Sequence, residues 1–418
     1  MPVDTAFGEI GLLRLPRQVL FGAGQRRAVG AAVRVLTRSA LICTDARLAQ
    51  SDEFTDVLDS LREAGVSVEV YNDTEAELPT SSIEACLRWA RGREFGAVIG
   101  FGGGSCVDMA KVMAMLLTYG GQIQDYYGEN QVPGPVTPVV AVPTTAGTGS
   151  EATPVAVLTD PERALKVGVS SPQLIPQVAI CDPELTRSCP AGLTAASGAD
   201  ALVHLVESYT AIERPATAQT AYQRVFIGKS GFTDSVALAG LRLVGKSLLA
   251  AYREPGDMTA RHDMAKAALA GGIALGVAGT AAAHALQYPL GALTRTSHGV
   301  GVGVLLPYVM RHNFPARIRE YAVIGHALRD HPASGAKPAD VTAARTGVEA
   351  VDAIVAGLDL PPTLRDLGLK QEQVSEVATL GLQATRLVEN NPRPLDLAAM
   401  LAITQAAYDG DRGFSEPT

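Results

Sequence analysis

The first half of the chain alternates short apolar runs rich in β-branched residues with stretches of helical periodicity. "SALICTD" (39–45), "VSVEVYN" (66–72), "GAVIGFG" (96–102) and "PVVAVPT" (138–144) read as buried strands bounded by Gly, Pro or Asp. "PQVAICDPEL" (176–185) reads as the last strand of this half. Between them, "AGQRRAVGAAVRVL", "DEFTDVLDSLREAG" and "SSIEACLRWARGR" repeat apolar residues at helical spacing. Apolar strands alternating with helices predict a parallel sheet covered on both faces. After "CPAGLTAASG" (189–198) the pattern changes to long Ala- and Leu-rich helical segments at 199–211, 233–252, 259–283, 340–357 and 394–408. Their connectors, such as "YREPGDM" and "HPASGAKPAD", carry Pro and Gly. The expected architecture is an α/β domain with a parallel sheet over 1–187, then an all-helical domain over 188–418, with a polar tail "DGDRGFSEPT" that frays.

Composition narrows the function classes. The 418 residues exceed the usual size of one core, and 47% are hydrophobic, so two buried cores are expected. A formal net charge of -8 without a Lys or Arg cluster argues against nucleic acid and anionic membrane as partners. No continuous apolar run reaches the roughly 18 residues of a membrane span. The opening "MPVDTAFGEIGLLRLPRQVLFGAG" lacks the basic-then-apolar order of a signal peptide. The five cysteines (Cys43, Cys86, Cys106, Cys181, Cys189) are scattered, odd in number and form no CxxC pair. Reduced thiols in a cytoplasmic protein are therefore expected.

Two loops carry candidate chemistry in the first half. "VIGFGGGSCVDMAK" (98–111) runs a strand into three glycines, a Ser and a helix. Gly102, Gly103 and Gly104 let a ligand approach the backbone, and Ser105 with the helix-end amides can hold a diphosphate oxygen; a tight strand–helix turn is the plainer reading. It is not the GxGxxG fingerprint. "VPTTAGTGSEAT" (142–153) adds five hydroxyl residues after the next strand, in the place where open α/β sheets bind ligands. Asp45, at the end of the first of these strands, can accept from an adenosine ribose and repel a 2′-phosphate, favouring NAD over NADP; it can equally be a helix N-cap, and Arg47 lies close by.

The second half carries the other chemistry. In "SGADALVHLVESYTA" (197–211), Asp200 and His204 stand four apart on one helix face, roughly 6 Å along its axis. Of seven histidines, His262, His312, His326 and His331 lie in charged or loop-like contexts and read as surface residues. His284, in "GTAAAHALQYPLG", and His298, in "TRTSHGVGVGVLLP", are separated by Pro289 and Gly291, which let the chain turn back. Any one of these alone is more often a hydrogen-bonded core histidine. Together, one carboxylate and three imidazoles suit Fe(II) or Zn(II), and do not suit Ca or Mg.

These motifs resemble the iron-containing (group III) alcohol dehydrogenases, from "FGAG" (21–24) to about "NNPRP" (390–394). The resemblance rests on "GGGSCVDMAK", "PTTAGTGSEAT", "SGADALVHLVESY" and "HALQYPLGALTRTSHGVGVGVLLP" in order and spacing. It implies an N-terminal dinucleotide-binding domain, a helical metal-binding domain and catalysis in the cleft between them, as in the architecture shared with dehydroquinate synthase. The implied metal ligands are Asp200, His204, His284 and His298. The implied diphosphate loop is Gly102, Gly103, Gly104 and Ser105, and the implied hydroxyl-rich loop is Thr144, Thr145, Thr148 and Ser150. Lys166 matches a lysine approaching the nicotinamide ribose, and Asp108 matches an Asp that either binds or braces the turn. Two positions depart from the pattern: Cys106 replaces the usual Pro, and Tyr288 replaces a His linked to proton transfer or substrate. Tyr288 is similar to the hydroxyacid–oxoacid transhydrogenase branch.

The resemblance implies hydride transfer between a small alcohol or hydroxy acid and NAD, with NADP as the alternative, assisted by Fe(II) or else Zn(II), in a homodimer or larger assembly. A proton would leave through Tyr288, the cofactor ribose or water. One alternative is a transhydrogenase that keeps its NAD, for which Arg295 could meet a carboxylate. Another is a dehydroquinate synthase-like lyase, disfavoured because only Arg295 and Arg311 supply cations around 284–312. A non-catalytic metal-bound scaffold would not need a nucleotide loop. The stretch 222–238 is a candidate for part of the entrance.

Overall fold

The structure is a computed structural model that describes residues 10–162, 165–215, 217, 219–329 and 340–414. His331 lies outside them. The strands are β1 (Gln18–Phe21), β2 (Ser39–Cys43), β3 (Ser67–Tyr71), β4 (Ala97–Gly102), β5 (Gly128–Glu129), β6 (Val139–Pro143), β7 (Val155–Asp160), β8 (Leu165–Ser170) and β9 (Val178–Cys181). Six of them form one sheet in the order β1-β9-β6-β4-β2-β3, parallel throughout. The helices of this unit are α1 (Val29–Leu36), α2 (Asp52–Glu63), α3 (Thr80–Ala90) and α4 (Gly104–Tyr119).

Side-chain alternation divides the strands between two cores. Ala40, Ile42, Ala97, Ile99, Val140 and Val142 pack with Val29, Val33, Phe54 and Val57 of α1 and α2. Leu41, Cys43, Val98 and Val139 pack on the other face with Ile83, Met109 and Met113 of α3 and α4. That second core is closed by Ala156, Leu158 and Val169 from a small sheet of order β5-β8-β7, which the periodicity of the chain did not reveal. Half-buried and buried residues alternate along β7, so it lacks the continuous apolar signature of the main sheet.

The second unit is helical: α5 (Ala191–Thr210), then beyond the short α6 (Thr220–Gln223), α7 (Gly231–Arg253), α8 (Met258–Ala278), α9 (Ala282–Thr294), α10 (His298–Asn313), α11 (Ile318–Leu328), α12 (Val341–Gly357), α13 (Val374–Gly381), α14 (Thr385–Asn390) and α15 (Leu397–Asp409). The α/β unit comprises Arg14–Ser188 and Ala221–Val225, and the helical unit the rest. The 222–238 stretch is thus shared. Arg14 holds its beginning in the α/β unit by donating to the Ala221 and Val225 carbonyls, while Val225 N donates to Glu129 Oε2 at 2.9 Å.

Three expectations are corrected here. Helix α5 starts at Ala191, not 199, because Gly198 is no breaker: a Cβ there would meet Leu248 Cδ1 at 2.1 Å, so the glycine admits α7. The expected 259–283 helix breaks at Gly279 (φ 79), and α8 and α9 meet at a 104° bend. The tail does not fray through residue 414: Phe414 packs edge-on against Phe314 at 4.8 Å, and Arg412 shares Asp352 with Arg311. Residues 415–418 lie outside the described set. Helix α7 is long and apolar enough to cross a membrane, yet its buried residues Ala237, Leu241, Val244 and Leu248 form one stripe, with Arg242 and Lys246 exposed.

Candidate metal centre

Asp200 and His204 project from the buried middle of α5, one turn apart. His284 stands in the first turn of α9, just past the bend, and His298 opens α10. One donor atom from each of these four residues lies within 4.8 Å of the other three. Asp200 Oδ1 is 3.3 Å from His204 Nε2, 3.9 Å from His284 Nε2 and 3.6 Å from His298 Nε2. Asp200 Oδ1 and His284 Nε2 are buried without a hydrogen-bond partner. Orphaned polar atoms are costly in a dry interior. A carboxylate oxygen and three imidazole nitrogens converging on one point match the donor set of Fe(II) or Zn(II). The His298 side chain is 21% exposed against 4% for Asp200 and His284, so the centre opens on the His298 side.

Glu207, unremarked in the sequence, organises this centre. It follows His204 by three residues on the same helix and is buried at 2% exposure. Its Oε2 accepts from Ala281 N and its Oε1 from Ala283 N, both at 2.8 Å, which caps the start of α9. Its Oε2 also lies 2.7 Å from His284 Nδ1. A carboxylate there requires Nδ1 to carry the proton, leaving the Nε2 lone pair facing Asp200. The signal for Glu207 was available: Asp200, His204 and Glu207 share one face at helical spacing.

Glycines let the elements converge. In "HGVGVGV", a Cβ on Gly299 would stand 2.0 Å from the Ala196 carbonyl oxygen of α5, and one on Gly301 would stand 1.6 Å from Gln287 Oε1 of α9. Gly299→Ala is expected to push α10 off α5 and carry His298 with it. Overpacking of this kind costs roughly 1–3 kcal/mol, and we expect metal affinity to fall about 10-fold or more. Denaturant midpoints and a chelator-competition titration check this; an unchanged metal affinity contradicts it.

Tyr288 is buried beside the cluster, its ring centroid 6.4 Å from that of His298. Burial raises its pKa; the charge of the Arg386 guanidinium opposes the rise, and the Glu207 and Asp200 carboxylates add to it. A phenol in this setting keeps its proton at neutral pH. The other histidines are not plain surface residues: His262, His312 and His326 are half-buried, and burial with the Arg393 charge lowers the His312 pKa to about 4.

In the α/β unit, β3 lies on one side of β2 while β4, β6 and β9 lie on the other, so the strand order switches direction between β2 and β4. Crevices outside the C-terminal ends of strands at such a point hold ligands. Asp45 follows β2; Gly102, Gly103, Gly104 and Ser105 end β4 and begin α4, whose N-terminus has no side-chain cap and no acidic residue in its first turn. A long helix end of that kind fits an anionic diphosphate. Thr144, Thr145, Thr148 and Ser150 follow β6 on the neighbouring loop. The glycines also serve the protein: a Cβ on Gly104 would stand 2.6 Å from Thr148 Cγ2, so they bring the loops together.

The remaining residues divide by partner. Asp108 is a brace: its Oδ1 accepts from Ser150 Oγ at 2.5 Å and its Oδ2 from Val157 N at 2.9 Å. Lys111, fully buried, donates to Thr153 O, Thr153 Oγ1 and Val155 O, and burial lowers its pKa to about 8. Asp45 Oδ1 accepts from Leu48 N at 2.8 Å, capping a short turn with one of its two oxygens. Lys166, on β8, forms an ion pair with Glu77, and Ser105 Oγ accepts from Glu77 N at 3.1 Å.

The chain matches the family described as iron-containing alcohol dehydrogenase over residues 16–183, and the C-terminal domain of that family over residues 194–408. The chain belongs to the iron-containing alcohol dehydrogenase family. A long-chain-alcohol dehydrogenase of Geobacillus thermodenitrificans is 35% identical over 90% of this chain and 91% of its own length. An NAD-dependent methanol dehydrogenase of Bacillus methanolicus is 32% identical over 91% of this chain and 95% of its own. Among solved structures, a 1,3-propanediol oxidoreductase superimposes with a TM-score of 0.87 at 31% identity, covering 96% of this chain and 100% of that one. The fold is that of iron-containing alcohol dehydrogenases, and the protein is an oxidoreductase of the alcohol dehydrogenase type.

Proposed function

We propose that this family member is an NAD-dependent, divalent-metal-dependent dehydrogenase of small alcohols or hydroxy acids, working in reverse as an aldehyde reductase. The observation that carries this reading is the meeting of Asp200, His204, His284 and His298 donor atoms within 4.8 Å, two of them buried without hydrogen-bond partners. When bound, Fe(II) or Zn(II) supplies Lewis-acid polarisation of a substrate oxygen, and the nicotinamide accepts the hydride. The chain supplies the rest. Asp200 and the three histidines hold the ion, and Glu207 fixes the His284 tautomer. Tyr288 offers a neutral phenol beside the reacting group. The α4 N-terminus and the Gly102–Ser105 turn take the diphosphate, Thr144, Thr145, Thr148 and Ser150 frame the cofactor loop, and Lys166 reaches the ribose once released from Glu77.

This reading takes the protein as cytoplasmic and as a homodimer or larger assembly, with a small alcohol or aldehyde as its ligand. The lyase alternative loses support from Arg311, which is committed to Asp352, the Arg412 carbonyl and the Pro307 carbonyl. The test is elemental analysis of purified protein with a substrate panel followed at the NADH absorbance. Near-stoichiometric Fe or Zn and reduction of added NAD with 1-butanol support the reading. Activity in metal-free protein overturns it, and failure to reduce added NAD while hydride passes from a hydroxy acid to an oxo acid replaces it with the transhydrogenase.

Cofactor choice gives a separate prediction. Asp45→Asn keeps an oxygen for Leu48 N but removes the charge that repels a 2′-phosphate. The ratio of kcat/KM for NADP to that for NAD is expected to rise about tenfold, the equivalent of ~1.4 kcal/mol. An unchanged ratio shows that Asp45 only caps the turn.

A further inference from the structure

We propose that Glu77 is a built-in competitor of the dinucleotide, holding Lys166 beside the diphosphate turn until the cofactor takes that cation over. The proposal rests on reading the Gly102–Ser105 turn as the cofactor's anion site. Glu77 lies in the connection between β3 and α3. Its backbone N–H donates to Ser105 Oγ at 3.1 Å, in the first turn of α4, and its carboxylate pairs with Lys166 on β8. One residue thus spans the helix end and the cation. The same connection is stitched to β7. Thr159 Oγ1 donates to the Glu77 carbonyl at 2.8 Å, and Thr159 N donates to the Leu78 carbonyl at 3.0 Å. Thr159 is the cross-strand partner of Lys166, so the backbone that carries Glu77 is anchored beside the lysine it holds.

The backbone is constrained to this position. Glu77 and Leu78 are consecutive non-glycine residues in the left-handed region, at φ 62 and φ 45. Such a pair persists only where the surrounding structure over-determines it. The Thr159 bonds do part of this, and Leu78, fully buried in the same core as Ile83 and Met109, does the rest. Electrostatics then set the competition. The first turn of α4 has no acidic residue of its own, so an anion arriving there meets a carboxylate only through Glu77 and its hold on Lys166. The Lys166 side chain is 10% exposed against 41% for Glu77. The shielded cation needs an anion, whereas the exposed carboxylate gives up little on returning to water. A diphosphate, with more charge and a helix end to receive it, displaces the carboxylate, and Glu77 takes the lysine back when the cofactor leaves. The latch loosens the cofactor and speeds its exchange. That suits a dehydrogenase working with added NAD rather than a protein that keeps its NAD.

The test measures NADH binding by fluorescence and calorimetry in Zn-loaded wild type, Glu77→Gln, Lys166→Met and the double variant. Glu77→Asn is a second variant, with a shorter side chain that tolerates a left-handed backbone, and urea midpoints show which variants stay folded. Glu77→Gln is expected to bind NADH about 3- to 10-fold more tightly than wild type, with a matching fall in the NADH dissociation rate by stopped flow. On the Lys166→Met background the same substitution should change the affinity by less than about twofold, because the latch is already gone. Affinity that is unchanged or weaker in the folded Glu77 variants overturns the proposal, since Glu77 then only braces the turn. An equal gain with and without Lys166 also overturns it, because the effect is then general repulsion. A wild type that binds no NADH defeats the cofactor reading and the proposal with it.

Discussion

His284→Ala is expected to release the metal and to abolish alcohol oxidation together, while leaving the protein folded. His284 supplies an orphaned Nε2 to the cluster, and no other imidazole of α9 can replace it. Losing one of four ligands leaves the ion a poor site, and losing several kcal/mol of charge stabilisation corresponds to about a 10³-fold drop in rate. The fold should survive, because Glu207 keeps its bonds to Ala281 N and Ala283 N after the imidazole is gone. Elemental analysis after gel filtration and NADH production from 1-butanol check the two halves of this expectation. Metal retained at full stoichiometry in the variant contradicts the ligand assignment.

Glu207 yields the second large effect, and it separates stability from metal binding. In Glu207→Ala two buried amides at the start of α9 lose their acceptor, and His284 Nδ1 loses its partner. Stranded buried donors cost about 1–3 kcal/mol each, so a total loss of roughly 3–5 kcal/mol is expected. The 104° bend between α8 and α9 depends on this cap, together with the Asn390 amide that donates to the Ala278 and Thr280 carbonyls. Glu207→Gln fills the same volume, but its amide NH₂ faces a donor. The variant should stay folded and bind metal about 10- to 100-fold more weakly, as outer-shell substitutions do. Urea unfolding reads the first effect and chelator competition the second. Equal metal affinity in Glu207→Gln and wild type would show that the carboxylate is a helix cap alone.

Much of the site was legible because its chemistry violates the surrounding pattern. Asp200 and His204 interrupt an apolar helix, and His284 and His298 sit among alanines and glycines, so the residue types alone suggested a ligand set. The central strands β2, β4, β6 and β9 were legible for the same kind of reason, since they are buried on both faces, whereas the partly exposed edge strand β1 was not read from the sequence. Glu207 escaped notice because a carboxylate near a helix end looks ordinary until the partner amides of a distant segment are known. The α8–α9 bend was hidden by an alanine-rich run that continues helical periodicity across Gly279, whose positive φ ends α8, while Glu207 and Asn390 hold the freed backbone groups on either side of the break. Gly198 failed in the opposite sense, reading as punctuation when it makes room for Leu248. Asp108 looked equally suited to binding and to bracing, and its two internal acceptor bonds show the bracing.

The most direct measurement is anomalous diffraction from crystals of the metal-loaded protein, collected above and below the absorption edge of the ion. A single peak is expected where Asp200 Oδ1 and imidazole nitrogens of His204, His284 and His298 meet, at about 2.0–2.2 Å from each. A saturated crystal whose only peak lies elsewhere, or whose four side chains turn away from it, would contradict the metal centre on which the proposed dehydrogenase depends.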